Sequence, residues 1–110
     1  MLSDKPLVKE QSILETLGLL SARFGDKTLR AIDHFEADLC AISVGREGDR
    51  CRLVYFSTYG HAPGRYYVEL ELPPTESTVS PFVKGGQYSD VDFETLVRLV
   101  AEHLSLRAKE

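Results

Sequence analysis

This 110-residue sequence is short of the residue types from which reaction centres are usually built, and each shortage closes a class of function. Histidine occurs three times, at His34, His61 and His103, with no HxH or HxxxH pair, and there are two cysteines. A metal centre needs such ligands at close spacing, so no metal and no cofactor is expected. There is no GxxxxGK[ST] phosphate loop and no GxGxxG fingerprint, and GGQYS lacks both the lysine and the strand-to-helix setting of a phosphate cradle. Apolar runs fall short of the roughly 18 residues that a bilayer span requires. The N-terminal stretch carries Asp4, Glu10 and Glu15 where a signal peptide needs an unbroken apolar core. An excess of base is missing too: 17 acids against 13 bases leave a net charge of -4, which repels polyphosphate. The expectation is a soluble cytoplasmic protein with neither nucleic acid nor membrane as partner.

Cys40 and Cys51 invite a disulfide, which hairpin geometry argues against. With a turn centred on Glu47 and Gly48, residue 44 faces 51 and residue 40 faces 55. The two sulfurs then lie four positions apart, roughly 13 Å at about 3.3 Å per residue. A disulfide spans only about 4.4–6.8 Å between Cα atoms. Two reduced, buried thiols are expected, and burial in apolar strands makes poor nucleophiles of them.

Apolar residues at 43% and charged residues at 27% are what a globular chain needs. One domain spanning residues 1–110 is expected. From about Pro6 to Phe24, the residues Ile13, Leu14, Leu17, Leu20 and Phe24 recur at helical spacing, and Gly25 with Asp26 reads as the stop. Gly18 inside this helix suggests a close contact. The stretch 28–38 suits a short helix by its Leu29, Ile32 and Phe35 and an edge strand by its length; the strand is preferred. Leu39 to Val44, Cys51 to Thr58 and Tyr66 to Leu72 are rich in strand-forming residues and separated by turn glycines. In YYVELEL, Tyr66, Val68, Leu70 and Leu72 face one way and Tyr67, Glu69 and Glu71 the other. Pro73 and Pro74 end that strand, and TESTVSP reads as a surface connection. A short extended piece is expected around Phe82 and Val83. Ser89 or Asp90 then caps a last helix with Asp92 and Glu94 in its first turn and a stripe of Phe93, Leu96, Val97, Val100 and Leu104. Glu94 and Arg98 stand at i, i+4 within it.

Helix, antiparallel meander, helix predicts a two-layer α+β domain: three to five strands, with the N-terminal and C-terminal helices packed on one face. The other face stays partly open.

Candidate chemistry concentrates in YGHAPGRYY, residues 59–67. His61 with Tyr59, Tyr66 and Arg65 has the types needed for an acid, a base and an anion clamp, as in a small hydrolase or nuclease-like enzyme. The plainer account is a turn set by Gly60, Pro63 and Gly64, because no second constellation converges on it. No catalytic residue is therefore assigned. Arg46, Arg50 and Arg52 cluster at one hairpin, but Glu47 and Asp49 lie among them. The residues Arg52, Tyr55, Tyr59, His61, Arg65, Tyr67, Glu69 and Glu71 fall on adjacent strands and their connecting loop, and tyrosine and arginine are enriched where proteins bind proteins. Tyr66 falls among the same strands, and some of these rings must instead fill the core. Asp33, Glu36 and Asp38, joined by Glu69 and Glu71, would form a negative surface that steers a basic partner.

GRYYVELELPP on a strand, followed by GGQYSDVDFETLVRLVAEHL as a last helix, resembles small cytoplasmic immunity proteins of bacterial polymorphic-toxin and contact-dependent competition systems. The resemblance covers the C-terminal half and transfers no residue roles. It implies a non-enzymatic protein that occludes a cognate toxin. The alternative is a secretion-type chaperone or adaptor that captures an extended client segment by strand addition, which predicts a homodimer.

Overall fold

A computed structural model of the protein describes residues 1–3, 6–73 and 83–109. The elements are β1 (Leu2–Ser3), α1 (Gln11–Phe24), β2 (Leu29–Ile32), β3 (Ala41–Arg46), β4 (Leu53–Ser57), β5 (Arg65–Leu72), β6 (Val83–Asp92) and α2 (Phe93–Leu104). They build an α+β domain on one six-stranded sheet with strands in sequence order. β1 runs parallel to β2, and every later pairing is antiparallel. The six strands among the described residues exceed the three to five expected. β1 is two residues long, too short to leave a periodic signal. β6 runs through Gly85 and Gly86, which read as a break.

The covered face follows from strand alternation. Ala31, Val44, Val54 and Leu70 lie in one row, and Ile42, Phe56 and Val68 in another. These pack with Ile13, Leu17, Leu20 and Phe24 of α1 and with Leu96, Val97, Val100 and Leu104 of α2 in one hydrophobic core. Both helices thus lie on a single face. Tyr66 is among the buried rings, edge-to-face with Phe56 at 5.9 Å, and its hydroxyl pairs with Thr16 Oγ1 at 2.9 Å. That bond satisfies a polar atom that would otherwise be costly to bury.

Several local expectations need correction. α1 starts at Gln11, five residues later than expected, and Leu14 is exposed while Thr16 and Ser21 are buried. Its end agrees, with the Gly25 N–H bonding Ser21 O at 2.8 Å. Gly18 makes no close approach: a Cβ there would meet nothing within 4 Å. In the 28–38 stretch, Leu29–Ile32 is a strand, but an inner one, because β1 pairs along it. The β3–β4 register is Val44 with Val54, three residues beyond the position expected. Asp49 Oδ1 accepts the N–H groups of Cys51 and Arg52, holding them in the turn and lengthening it. Cys51 is consequently exposed and Cys40 half-buried, so neither is the buried thiol anticipated; both are free. The last helix is capped by Asp92, whose carboxylate accepts the Thr95 N–H at 2.8 Å, and not by Ser89 or Asp90. Those two remain in β6 because β5 pairs with it as far as Asp92. Glu94 binds Arg23 of α1 at 2.8 Å. β5 ends at Leu72, ahead of Pro73; Pro74, the TESTVSP connection and Phe82 lie outside the described residues. Among the described residues, no helix is long and apolar enough to cross a membrane.

Candidate functional site

The uncovered face of the sheet carries the alternate residues of the same strands. Tyr55 stands opposite Glu69, Ser57 opposite Tyr67, and Leu53 opposite Glu71. Toward β2 and β3 this face is shut, with Ile32, Ala41, Ser43 and Leu53 buried. On β4 and β5 it opens, where Tyr55, Tyr67, Glu69 and Glu71 are each half-buried, and Gln87 of β6, opposite Glu69, is exposed beside them.

The segment between β2 and β3 borders this opening. The ammonium of Lys9 has no exposed side-chain surface and lies 2.8 Å from Asp33 Oδ1. It also donates to the carbonyls of Phe35 at 3.2 Å and Asp38 at 2.7 Å. A buried charge must be paired and hydrogen-bonded, and here the pairing ties down the turn that carries Phe35 and Asp38. The Phe35 ring, 57% exposed, meets Tyr55 nearly perpendicularly at 6.1 Å, and Tyr55 meets Tyr67 at 6.3 Å. A hollow of about 290 Å³ is lined by Phe35, Asp38, Tyr55, Tyr67, Glu69 and Glu71. A second hollow of about 460 Å³ shares Asp38, Tyr55 and Tyr67 and continues to Ser57, Tyr59 and His61. The two form one shallow groove of rings and carboxylates.

Its electrostatics follow from crowding of acids at a partly dry surface. Burial and the hydrogen bond donated to Glu69 push the Tyr67 hydroxyl up to about 12. Gln87 Nε2 donates to the same Glu69 oxygen at 2.9 Å. Burial, followed by Asp38, Glu69 and Glu71, raises Tyr55. Burial and then Glu69 raise the Glu71 carboxyl, and among the described residues its Oε2 is buried with no hydrogen-bond partner.

At the far end of β5, Arg65 is locked to β6. Its Nε donates to Asp90 Oδ1 at 3.1 Å, and its Nη2 donates to the Asp90 carbonyl. Asp90 has φ 55°, a left-handed conformation that a non-glycine residue adopts uncommonly, and it lies where the β5–β6 register shifts. Arg65 holds the Asp90 carboxyl below the usual range, with a lesser contribution from His61, whose Nδ1 is 3.7 Å away. The 59–64 loop is a true turn: Gly60 and Gly64 have φ 74° and 77°, and His61 N–H and Arg65 N–H bond Thr58 O and Ala62 O. His61 also borders a cleft of about 530 Å³ between this loop and α1.

Of the eight residues expected at a partner surface, six line the groove: Tyr55, Tyr59, His61, Tyr67, Glu69 and Glu71. Arg65 is committed to Asp90. Arg52 lies away from the groove, near enough to His103 of α2 to help burial depress that imidazole. The acidic surface also divides: Asp38 lines the groove and Asp33 serves Lys9. Glu36 lines a separate hollow of about 250 Å³ beside Pro6 and His34. Phe35 as a groove wall and Lys9 as its anchor were not legible, because both act through contacts distant in sequence. Among the described residues, no three His, Cys, Asp or Glu side chains are arranged to hold a metal ion. Compared with protein-family models, curated proteins and solved structures, the chain matches none.

Proposed function

We propose that this chain is a small non-enzymatic protein-binding domain of the immunity type, which neutralises a toxin domain by covering its active site. The observation that carries this reading is the groove, where four aromatic rings and three carboxylates come together on the sheet face that the helices leave uncovered. Tyr59, 79% exposed, stands at its rim. Rigid aromatic rings make binding area at small entropic cost, and surrounding acids favour encounter with a basic surface. A cytoplasmic location belongs to the same proposal.

The strand-addition alternative uses the β6 edge, and its homodimer would pair two such edges. That edge is bulged at Asp90, and the Arg65 guanidinium occupies a carbonyl there. Bulges and edge charges are devices that blunt edge pairing. An enzyme centred on His61 would draw on Asp90 as the orienting acid, and Asp90 is already bound by Arg65. Face-on docking is the better supported reading.

The test is calorimetric titration of the protein against the toxin domain encoded beside its gene. A one-to-one complex is expected, weakened at least about 30-fold by Tyr67→Ala if Tyr67 is a hot spot worth about 2 kcal/mol. Absence of any complex by both calorimetry and gel filtration would count against the reading.

A further inference from the structure

The groove has two halves with different chemistry. The half beyond Tyr55 toward Tyr59 and His61 has Asp38 as its only carboxylate lining. The half toward the end of β5 combines Asp38, Glu69 and Glu71 with Phe35, Tyr55 and Tyr67. Three acids beside three rings present both a negative potential and π faces, the two features that attract a desolvated cation. We infer that this inner half receives an arginine side chain of the bound partner, its guanidinium lying against the Tyr55 and Tyr67 rings beside the Glu71 carboxylate.

Several observations favour that occupant. Glu69 already accepts from Tyr67 and Gln87, whereas Glu71 Oε2 is buried without a hydrogen-bond partner among the described residues. Burial and Glu69 both disfavour charge on Glu71, and an arriving cation relieves that cost. The rings meet edge-to-face at 88° and 75° rather than stacked, and Phe35, Tyr55 and Tyr67 all line the hollow. Guanidinium is planar, weakly hydrated and able to stack, while ammonium is compact and strongly hydrated. A hollow of about 290 Å³ accommodates the former with part of its aliphatic stem.

This inference rests on the docking reading above, and its test separates the two. The protein is titrated at constant ionic strength with Nα-acetyl-arginine methylamide and, separately, with the neutral citrulline and cationic lysine analogues, while ¹H–¹⁵N resonances are followed. Arginine is expected to shift the amides of Tyr55, Tyr67 and Glu71 saturably, at roughly tens of millimolar for so small a contact. Lysine should act more weakly and citrulline not at all. Glu71→Gln and Tyr55→Leu should each weaken the arginine response about threefold, the effect of one exposed charge or ring contact. An equal response to citrulline, or shifts elsewhere only, overturns the inference. Lys84, opposite Glu71 in register, is replaced in parallel by alanine. A response confined to Lys84→Ala overturns the inference for the natural chain. If the toxin complex forms but arginine leaves the groove unshifted, the inference fails and the docking reading stands. A saturable arginine response without the toxin complex supports the inference and removes only the proposed partner.

Discussion

Tyr66 and Tyr67 are neighbours in sequence and belong to different molecules in effect, one to the core and the other to the groove. Tyr66 is 4% exposed, packs against Phe56 and gives its hydroxyl to Thr16. Tyr67 turns to the opposite face, joins Tyr55 and Glu69, and has its phenol pushed up to about 12 by burial and the bond it donates to Glu69. Strand alternation alone separates them, since successive side chains point to opposite faces. The same sheet therefore supports two unlike surfaces: a dry one that provides stability and a half-wet one that presents rings and acids.

The sharpest way to break this contrast is truncation on each side. Phe56→Ala, removing a fully buried ring from the covered face, should cost about 3–5 kcal/mol of unfolding free energy by chemical denaturation. Tyr67→Ala should cost clearly less, about 1 kcal/mol, the usual scale of a point change. Comparable losses at the two sites would mean that the open face is part of the core. Lys9 tests the border between the faces. Lys9→Met strands the Asp33 carboxylate and two carbonyls, and breaking one side of a buried pair costs about 3–5 kcal/mol; some of this should be recovered by solvent access to Asp33. Amide exchange should then accelerate through residues 33–38 before it does in β4, and equal protection in both would remove Lys9 from its anchoring role.

The smallest expected effect lies at the Arg65–Asp90 clasp. Its folded-state pKa is lowered, so Asp90 contributes stability above the unfolded value and loses it as pH falls through the folded one. Thermal unfolding of the parent should therefore weaken more than that of Asp90→Asn as pH falls below about 4, the ordinary aspartate value. The Asp92 cap, lowered by its bonds to Thr95, loses stability in the same direction and leaves residual pH dependence in both proteins. Parallel curves would show that the clasp contributes nothing to folding.

Much of the scaffold was legible because its signals are local. The α1 and α2 stripes, the Gly25 stop and the two alternating sets of YYVELEL depend on periods of a few residues; the stop and the alternation appear as read, while the stripes hold except that Leu14 is exposed, Phe93 is half-buried and Leu99 joins the buried side. β6 was legible only at its start, where an extended piece was expected at Val83; its run on to Asp92 was not, since its glycines and polar residues have low strand propensity and the pairing with β5 overrides it. Cys51 was placed in a strand for the opposite reason: the Asp49 carboxylate stabilises a longer turn than the nearby strand formers suggest. At the candidate site, six of the eight residues singled out by type and alternation line the groove. Arg65 and Arg52 lie outside it, because an arginine's destination depends on which carboxylate or helix lies near it.

What the sequence determined by itself is the alternation that puts Tyr66 on one face and Tyr67, Glu69 and Glu71 on the other, since a period of two is a property of the strand alone; which face the helices cover was decided by packing. Only the tertiary structure decided which acids remain in the groove. Asp33 meets Lys9 and Asp90 meets Arg65 across large separations in sequence, and a charge settles where the folded chain brings its partner.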